Sequence, residues 1–100
     1  MQDKGILKLY VTGKSPRTDQ AIQNLKSICD DKFPGQFQIV IIDVLEHPKL
    51  AEDEKIMATP TLVRDFPPPI RRIIGDLSDK DQVLLGLDFV PDMYSVEQAH

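Results

Sequence analysis

The chain has 100 residues, of which 41% are hydrophobic and 28% are charged, so it is expected to form one globular domain over residues 1–100. It carries 12 Lys and Arg against 16 Asp and Glu, and the net charge of −4 argues against a general basic field for nucleic acid. A single cysteine, Cys29, excludes an intrachain disulfide and a cysteine-rich metal site. We find neither a secretory signal nor an apolar run of the roughly 20 residues that span a bilayer, so no membrane association is expected and the cytoplasm is the expected compartment.

The first two predicted elements are a strand and a helix. Residues 6–11 alternate apolar and polar side chains and predict strand β1. Ser15 is a good N-cap and Pro16 suits the first helical position, so helix α1 is expected to begin there. Its apolar stripe, which should end before Phe33-Pro34-Gly35, comprises Ala21, Ile22, Leu25, Ile28 and Cys29.

The next two predicted elements are strand β2 and helix α2. Residues 37–44 predict β2, and the continuous apolar run at 39–42 is typical of a central parallel strand covered on both faces. Strand, helix and strand within about 40 residues form a βαβ unit, whose crossover should be right-handed. The acidic segment at 47–57 has only a weak apolar stripe and predicts a short helix.

The C-terminal half predicts two strands and a helix. Residues 59–63 predict β3 with Pro60 near its start, and residues 66–69 (FPPP) form a stiff connector. Residues 71–74 predict β4. Ser78 is the expected N-cap of α3, with Asp81 completing a capping box, and Pro91 should end this helix before a polar, frayed tail at 91–100.

This α/β order, β1-α1-β2-α2-β3-β4-α3, resembles the thioredoxin fold, and the resemblance implies a cis Pro60 facing a redox site. A redox enzyme of that kind needs a thiolate in the turn after β1, where the helix dipole lowers its pKa. Residues 12–17 contain no cysteine, and Cys29 lies on the apolar stripe of α1, so we interpret Cys29 as a core residue.

No other catalytic constellation is apparent. The two histidines, His47 and His100, lie in a predicted loop and in the tail, and residues 52–54 form an acidic run typical of a solvated helix face. We therefore predict a binding module rather than an enzyme, with no cofactor and no bound metal.

Two surface features are candidates for binding. Arg71 and Arg72 follow the triple proline, and in an alternating strand one should face outward and the other toward a sheet face or edge. A pair of arginines can clamp a carboxylate, or else both are solvated on an edge strand. Lys8, Tyr10 and Lys55 form a polar set near the sheet. The alternative for this set is a half-buried tyrosine with two solubilising lysines.

Longer segments resemble the KaiB family. They are residues 7–11 (LKLYV), 42–45 (IDVL), 50–52 (LAE), 55–56 (KI), 58–62 (ATPTL), 67–78 (PPPIRRIIGDLS) and 85–88 (LGLD). The resemblance covers about residues 6–90 without a gap. It implies a non-catalytic clock component that binds the ring-shaped ATPase KaiC and helps to time its phosphorylation cycle together with KaiA.

Some binding residues of the family carry over to this chain. Lys55 and Arg72 match basic residues at the KaiC-binding surface, and Arg71 accompanies Arg72. The resemblance thus assigns partner binding to these three residues.

The chain departs from the family at three other positions. Gln20 stands where clock members commonly carry Arg, and Gln38 and Val40 stand where they carry Ala and Lys. The loss of two positive charges weakens complementarity to an acidic partner surface. An adaptor of the same fold with another partner, such as a sensor kinase or a stress protein, is the alternative.

The resemblance also implies two folds: a thioredoxin-like binding form, and a resting form that has a rearranged C-terminal half and self-associates into dimers or tetramers. The candidate positions for this equilibrium are Pro60, Gly86 and Asp88. The X-Pro bond before Pro60 isomerises slowly, Gly86 weakens α3 by about 1 kcal/mol relative to Ala, and Asp88 puts negative charge near the helix C-terminus. Gly86→Ala or Asp88→Arg is expected to favour the thioredoxin-like monomer.

Overall fold

The computed structural model describes residues 4–87 and confirms the predicted α/β order. The elements are β1 (Gly5–Val11), α1 (Pro16–Lys32), β2 (Phe37–Asp43), α2 (Pro48–Asp53), β3 (Thr61–Phe66), β4 (Arg71–Ile74) and α3 (Lys80–Gly86). Helix α1 begins as predicted, because the Ser15 hydroxyl accepts a hydrogen bond of 3.1 Å from the Thr18 N–H while Pro16 occupies the first turn.

The four strands form one mixed sheet in the order β2-β1-β3-β4. Strands β1 and β2 are parallel, whereas β3 is antiparallel to both β1 and β4. The prediction that β2 is a central strand is wrong, because β1 and β3 occupy the interior and β2 has only β1 beside it within residues 4–87. Its apolar run reflects contacts on both faces: Ile39 packs against one core cluster and Ile42 is buried in the other.

One side of the sheet, here called the packed face, carries most of the hydrophobic core. Leu7 and Leu9 of β1 and Leu62 of β3 pack there against Leu25 of α1 and Val83 of α3. The period-two alternation of strands and the 3.6-residue period of helices bring these side chains to one layer. Burial of this layer fixes α1 and α3 against the sheet.

The opposite side, here called the second face, has a smaller buried cluster of Tyr10, Ile42 and Val63. Strand register places Lys8 opposite Val63, and Val63 opposite Arg72, so two basic residues lie in the same row of this face. The second face thus combines a small apolar centre with charged side chains.

Strand β3 and helix α3 have boundaries that differ from the prediction. Strand β3 begins at Thr61, two residues after the predicted start, and continues to Phe66, three residues beyond the predicted end. Helix α3 is capped by Asp79 instead of Ser78: the Asp79 carboxylate accepts from the Gln82 N–H at 3.2 Å, while the Ser78 N–H donates to Asp76. Both Ser and Asp are good N-caps, and here Asp79 has the extended backbone conformation that an N-cap residue adopts.

The predicted end of α3 at Pro91 and the tail at 91–100 lie outside the described residues. Across residues 4–87, no helix combines the length and apolar character that crossing a membrane requires.

Candidate binding surface

Arg72 joins β4 to the turn that follows α2. Its guanidinium donates to the carbonyl of Lys55 at 3.3 Å and to the carbonyl of Glu54. Charge-assisted hydrogen bonds of this kind are stronger than neutral ones. Arg72 is nevertheless exposed, so the guanidinium both anchors the turn and lies at the surface.

Lys55 lies in this anchored turn. Its backbone has φ 56°, the left-handed region, and its N–H donates to the Glu52 carbonyl at 3.0 Å. The side chain is exposed. The structure therefore brings Lys55 and Arg72 together although 17 residues separate them, and it presents both on the surface.

Lys8 carries a charge that a neighbour partly neutralises. Its ammonium lies 3.3 Å from the Asp65 carboxylate, and the two side chains are 29% and 31% exposed. Sequence reasoning missed Asp65 because the predicted β3 ended at Val63. The positive field of Lys8 toward a partner is thereby reduced.

Tyr10 was predicted to form a binding set with Lys8 and Lys55, and of these residues its position in the structure departs most from that prediction. It lies on the interior strand β1 and is only 1% exposed, because Ile42 and Val63 pack around it. Burial, and next the negative charge of Glu54, raise the pKa of its hydroxyl. We therefore assign Tyr10 to packing and no longer to direct partner contact.

Arg71 and Arg72 do not clamp one carboxylate together. Consecutive strand residues point to opposite faces of a sheet, and the register pairs Arg71 with Arg64 but Arg72 with Val63. Arg71 is exposed on the side of the packed face. The paired-arginine interpretation is therefore corrected, and only Arg72 belongs to the second face.

A buried arginine that sequence reasoning missed lies beside Arg71. Arg64 is 6% exposed and donates to the carbonyls of Pro69, at 2.9 Å, and of Leu87. It thereby links β3 to the proline connector and to the residue that caps α3. No local pattern identifies it, because both acceptors come from other segments.

The second face ends in a shallow cavity of about 410 Å³. Thr12 and Thr59 lie at its wall with their hydroxyl oxygens 2.6 Å apart, and Met57 is 91% exposed at its rim. The remaining lining residues are mostly apolar: Val44, Pro48, Ala51, Glu52, Ile56 and Ala58.

Cys29 is buried in the packed face, which confirms its interpretation as a core residue. Burial raises the pKa of its thiol to about 11, so the thiol is almost fully protonated at neutral pH. Among residues 4–87, no three His, Cys, Asp or Glu side chains are grouped closely enough to hold a metal ion.

The three proposed fold-equilibrium positions differ in what surrounds them. The Thr59-Pro60 peptide bond is cis, as the thioredoxin resemblance implies. Gly86 is the last residue of α3, and a Cβ added there would lie 2.7 Å from Cγ1 of Ile73, so α3 approaches β4 closely at this glycine. Asp88 lies outside the described residues. The role of these positions in a fold equilibrium stays a prediction.

The three residues at which the chain departs from the family lie on two elements, α1 and β2. The Gln20 side chain is exposed on α1 and donates to Asn24 at 3.0 Å. Gln38 is exposed on β2, whereas Val40 packs against the buried cluster of the second face. Of the three, Gln38 and Val40 belong to the edge strand.

Sequence comparison identifies relatives over almost the whole chain. A family model described as the KaiB domain matches residues 8–89. A Synechocystis protein named circadian clock protein KaiB3 is 55% identical over 87 residues, which cover 87% of this chain and 85% of that protein. A Prochlorococcus marinus (strain MIT 9515) protein named circadian clock oscillator protein KaiB is 53% identical over 95 residues, 95% of this chain and 88% of the relative.

Solved structures share the fold. The N-terminal domain of Synechococcus elongatus SasA superposes with a TM-score of 0.73 at 25% identity, over 88% of this chain and 87% of that domain. The Drosophila thioredoxin Deadhead superposes with a TM-score of 0.66 at 20% identity, over 87% and 81% of the two chains. The second likeness shows the thioredoxin-like fold alone.

Proposed function

This chain belongs to the KaiB domain family, and from that premise we propose that it is a non-catalytic clock protein that binds a KaiC-type ring ATPase. By binding, it modulates the phosphorylation and ATPase cycle of the ring, in concert with a KaiA-like protein. The names of the relatives support the clock role, since those proteins are called circadian clock proteins.

The observation that carries this proposal is the contact between Arg72 and the turn after α2. The carbonyls of Glu54 and Lys55 accept from the guanidinium, so the charge of Arg72 is held beside the turn that carries the exposed side chain of Lys55. Preorganised charges of one sign favour an acidic partner, because less conformational entropy is lost on binding. The buried, protonated Cys29 supports a role without thiol chemistry.

The test measures binding of this chain to the KaiC-type ATPase of the same genome by native mass spectrometry in each nucleotide state. We expect several copies of the chain on one ATPase ring. Lys55→Glu should weaken binding by at least about tenfold, because it reverses a charge in the interface. The matched control is Lys49→Glu, which makes the same charge change on the exposed surface of α2.

Two results would contradict the proposal. One is the absence of a complex in every nucleotide state. The other is equal weakening by Lys55→Glu and Lys49→Glu, which would indicate an effect of net charge alone. Insulin reduction by the chain would overturn its non-catalytic assignment.

The second candidate is an adaptor of the same fold with another partner, such as a sensor kinase or a stress protein. Gln20, Gln38 and Val40 favour it, because the chain lacks two positive charges that the family resemblance leads one to expect. An unbiased pull-down distinguishes the two: it should recover the ATPase under the first proposal and a different protein under the second.

We further propose that the free chain self-associates into dimers or tetramers. We also propose that the cytoplasm is its compartment, in accord with a single cysteine that forms no intrachain disulfide.

A further inference from the structure

The sulfur atoms of Met57 and Cys29 differ in their exposure. Met57 is 91% exposed, and it is the one methionine within residues 4–87, because Met1 and Met93 lie outside them. Cys29 is 7% exposed, and its thiol pKa of about 11 leaves almost no thiolate at neutral pH. Since cysteine is oxidised as the thiolate and either sulfur must be accessible, an oxidant that meets the folded chain attacks Met57 in preference to Cys29.

The backbone on both sides of Met57 is held in place. The Ile56 N–H donates to the Ala51 carbonyl at 2.9 Å, and the Ile56 side chain packs against the buried cluster of the second face. On the other side, the Ala58 carbonyl accepts from the Thr61 hydroxyl at 2.6 Å. The segment is thus fixed while the Met57 side chain lies in solvent, so a chemical change at its sulfur alters the surface and leaves the core intact.

Met57 also lies within the candidate binding surface. It is two residues from Lys55, whose carbonyl accepts from Arg72, and it lines the cavity in which the second face ends. The thioether of methionine is flexible and polarizable, so it adapts to the shape of an apolar partner surface. A partner that binds the two cations would therefore also cover the Met57 side chain.

We propose that Met57 is an oxidation site, at which hydrogen peroxide forms the sulfoxide and thereby weakens binding of the KaiC-type ATPase. This inference rests on the proposed function and adds regulation of the same surface. In the reaction the thioether sulfur attacks one peroxide oxygen, the O–O bond breaks and an S–O bond forms. The sulfur loses two electrons and the peroxide gains them. The proton on the transferred oxygen passes to the departing hydroxide, which leaves as water.

Oxidation replaces an apolar group with a polar one at the partner contact. The sulfoxide oxygen is hydrated in the free chain, and it loses that water when the partner covers it. Burial of a polar group without a new hydrogen bond is unfavourable, so the oxidised chain binds less tightly. Methionine sulfoxide reductases, with a thiol as the electron donor, return the sulfoxide to the thioether, so the change is reversible.

The test measures ATPase binding by the full chain before and after treatment with hydrogen peroxide, which is removed before the ATPase is added. Peptide mass spectrometry should locate an added oxygen atom at Met57. We expect the dissociation constant to rise at least about fivefold, and methionine sulfoxide reductases to restore it. The free energy of unfolding, measured in urea, should stay unchanged because the core is not altered.

Two variants separate the site from the reagent. Met57→Leu keeps an apolar side chain of similar volume that peroxide does not oxidise, so it should bind like the untreated parent both before and after treatment. It retains Met1 and Met93, so oxidation at those positions affects both chains alike. Adding Leu85→Met to Met57→Leu places a thioether on α3, where the side chain is 69% exposed, and its oxidation should leave binding unchanged because α3 covers the packed face.

The outcomes separate the regulation from the proposed function. An untreated chain that does not bind the ATPase contradicts the proposed function, and the regulation falls with it. A chain that binds equally well before and after oxidation at Met57 overturns the regulation alone, as does a Met57 that peroxide leaves unoxidised. Equal weakening of the parent and of Met57→Leu by peroxide also overturns it, because another group would then be responsible.

Discussion

The two faces of the sheet are closed by different means. On the packed face, α1 and α3 cover the apolar side chains of β1 and β3, and the one charged side chain buried there within residues 4–87, Arg64, is held by backbone carbonyls. On the second face, the buried cluster is small and Lys8, Asp65 and Arg72 lie around it. Under the proposed function, the difference separates stability from recognition across one sheet: the packed face holds the fold together, and the second face presents the charges for a partner.

The largest expected effect tests the packed face. Leu25→Ala removes a fully buried side chain of α1, so it should lower the free energy of unfolding by about 3 kcal/mol, measured by urea denaturation. Leu50→Ala makes the same change on α2, where the side chain is 45% exposed, and should cost less than about 1 kcal/mol. Equal losses would show that a fully buried and a half-exposed leucine contribute alike, and that burial on the packed face does not dominate stability.

The next effect depends on pH and also arises on the packed face. Burial raises the pKa of Cys29 from its ordinary 9.0 to about 11, so the folded chain holds this proton more tightly than the unfolded chain. The resulting stability is fully present below pH 9 and is lost as the pH rises toward 11. The loss should reach about 1 kcal/mol at pH 10, measured as the change in unfolding free energy from pH 7.

Two variants isolate this effect. Cys29→Ala should lose less stability between pH 7 and 10 than the parent chain does, even if it is less stable at pH 7. Tyr10→Phe removes the corresponding group of the second face, whose pKa burial also raises, and should flatten only the part of the curve above pH 10. An unchanged slope in Cys29→Ala would mean that the thiol is not desolvated.

Local signals were sufficient for much of the fold. The Ser15 cap with Pro16 correctly predicted where α1 begins, and the breaker after Lys32 correctly predicted where it ends. The position of β2 at the edge was mispredicted, because an apolar run indicates contacts on both faces but not which strands lie beside it. The strand order depends on long-range pairing that no window of the sequence contains.

The candidate site was less predictable, for a related reason. Lys55 and Arg72 came from a family resemblance, whereas the hydrogen bonds that join them depend on the turn after α2. Asp65 and Arg64 were missed because β3 continues past Val63. The partners of Arg64 and Asp65 come from other segments, so only the folded chain reveals what they do.

The smallest expected effect sharpens the contrast on the second face. The Lys8–Asp65 pair is about 30% exposed, so its coupling energy should be about 0.5 kcal/mol in a double-mutant cycle with Lys8→Met and Asp65→Asn. The more exposed Lys49–Asp53 pair on α2 is the control and should give a smaller coupling energy. Coupling as large as the effect of Leu25→Ala would place the main stabilisation on the second face.

The Lys8–Asp65 ion pair also links stability to recognition. Asp65→Asn leaves Lys8 without its neutralising carboxylate, which strengthens the positive field beside Arg72. Under the proposed function it should tighten binding of the KaiC-type ATPase by about two- to fivefold at low salt, and the gain should shrink as salt screens the exposed charges. A substitution that costs little stability but improves binding is the result expected only if the second face serves recognition. Weaker binding by Asp65→Asn would instead mean that the partner contacts the carboxylate itself.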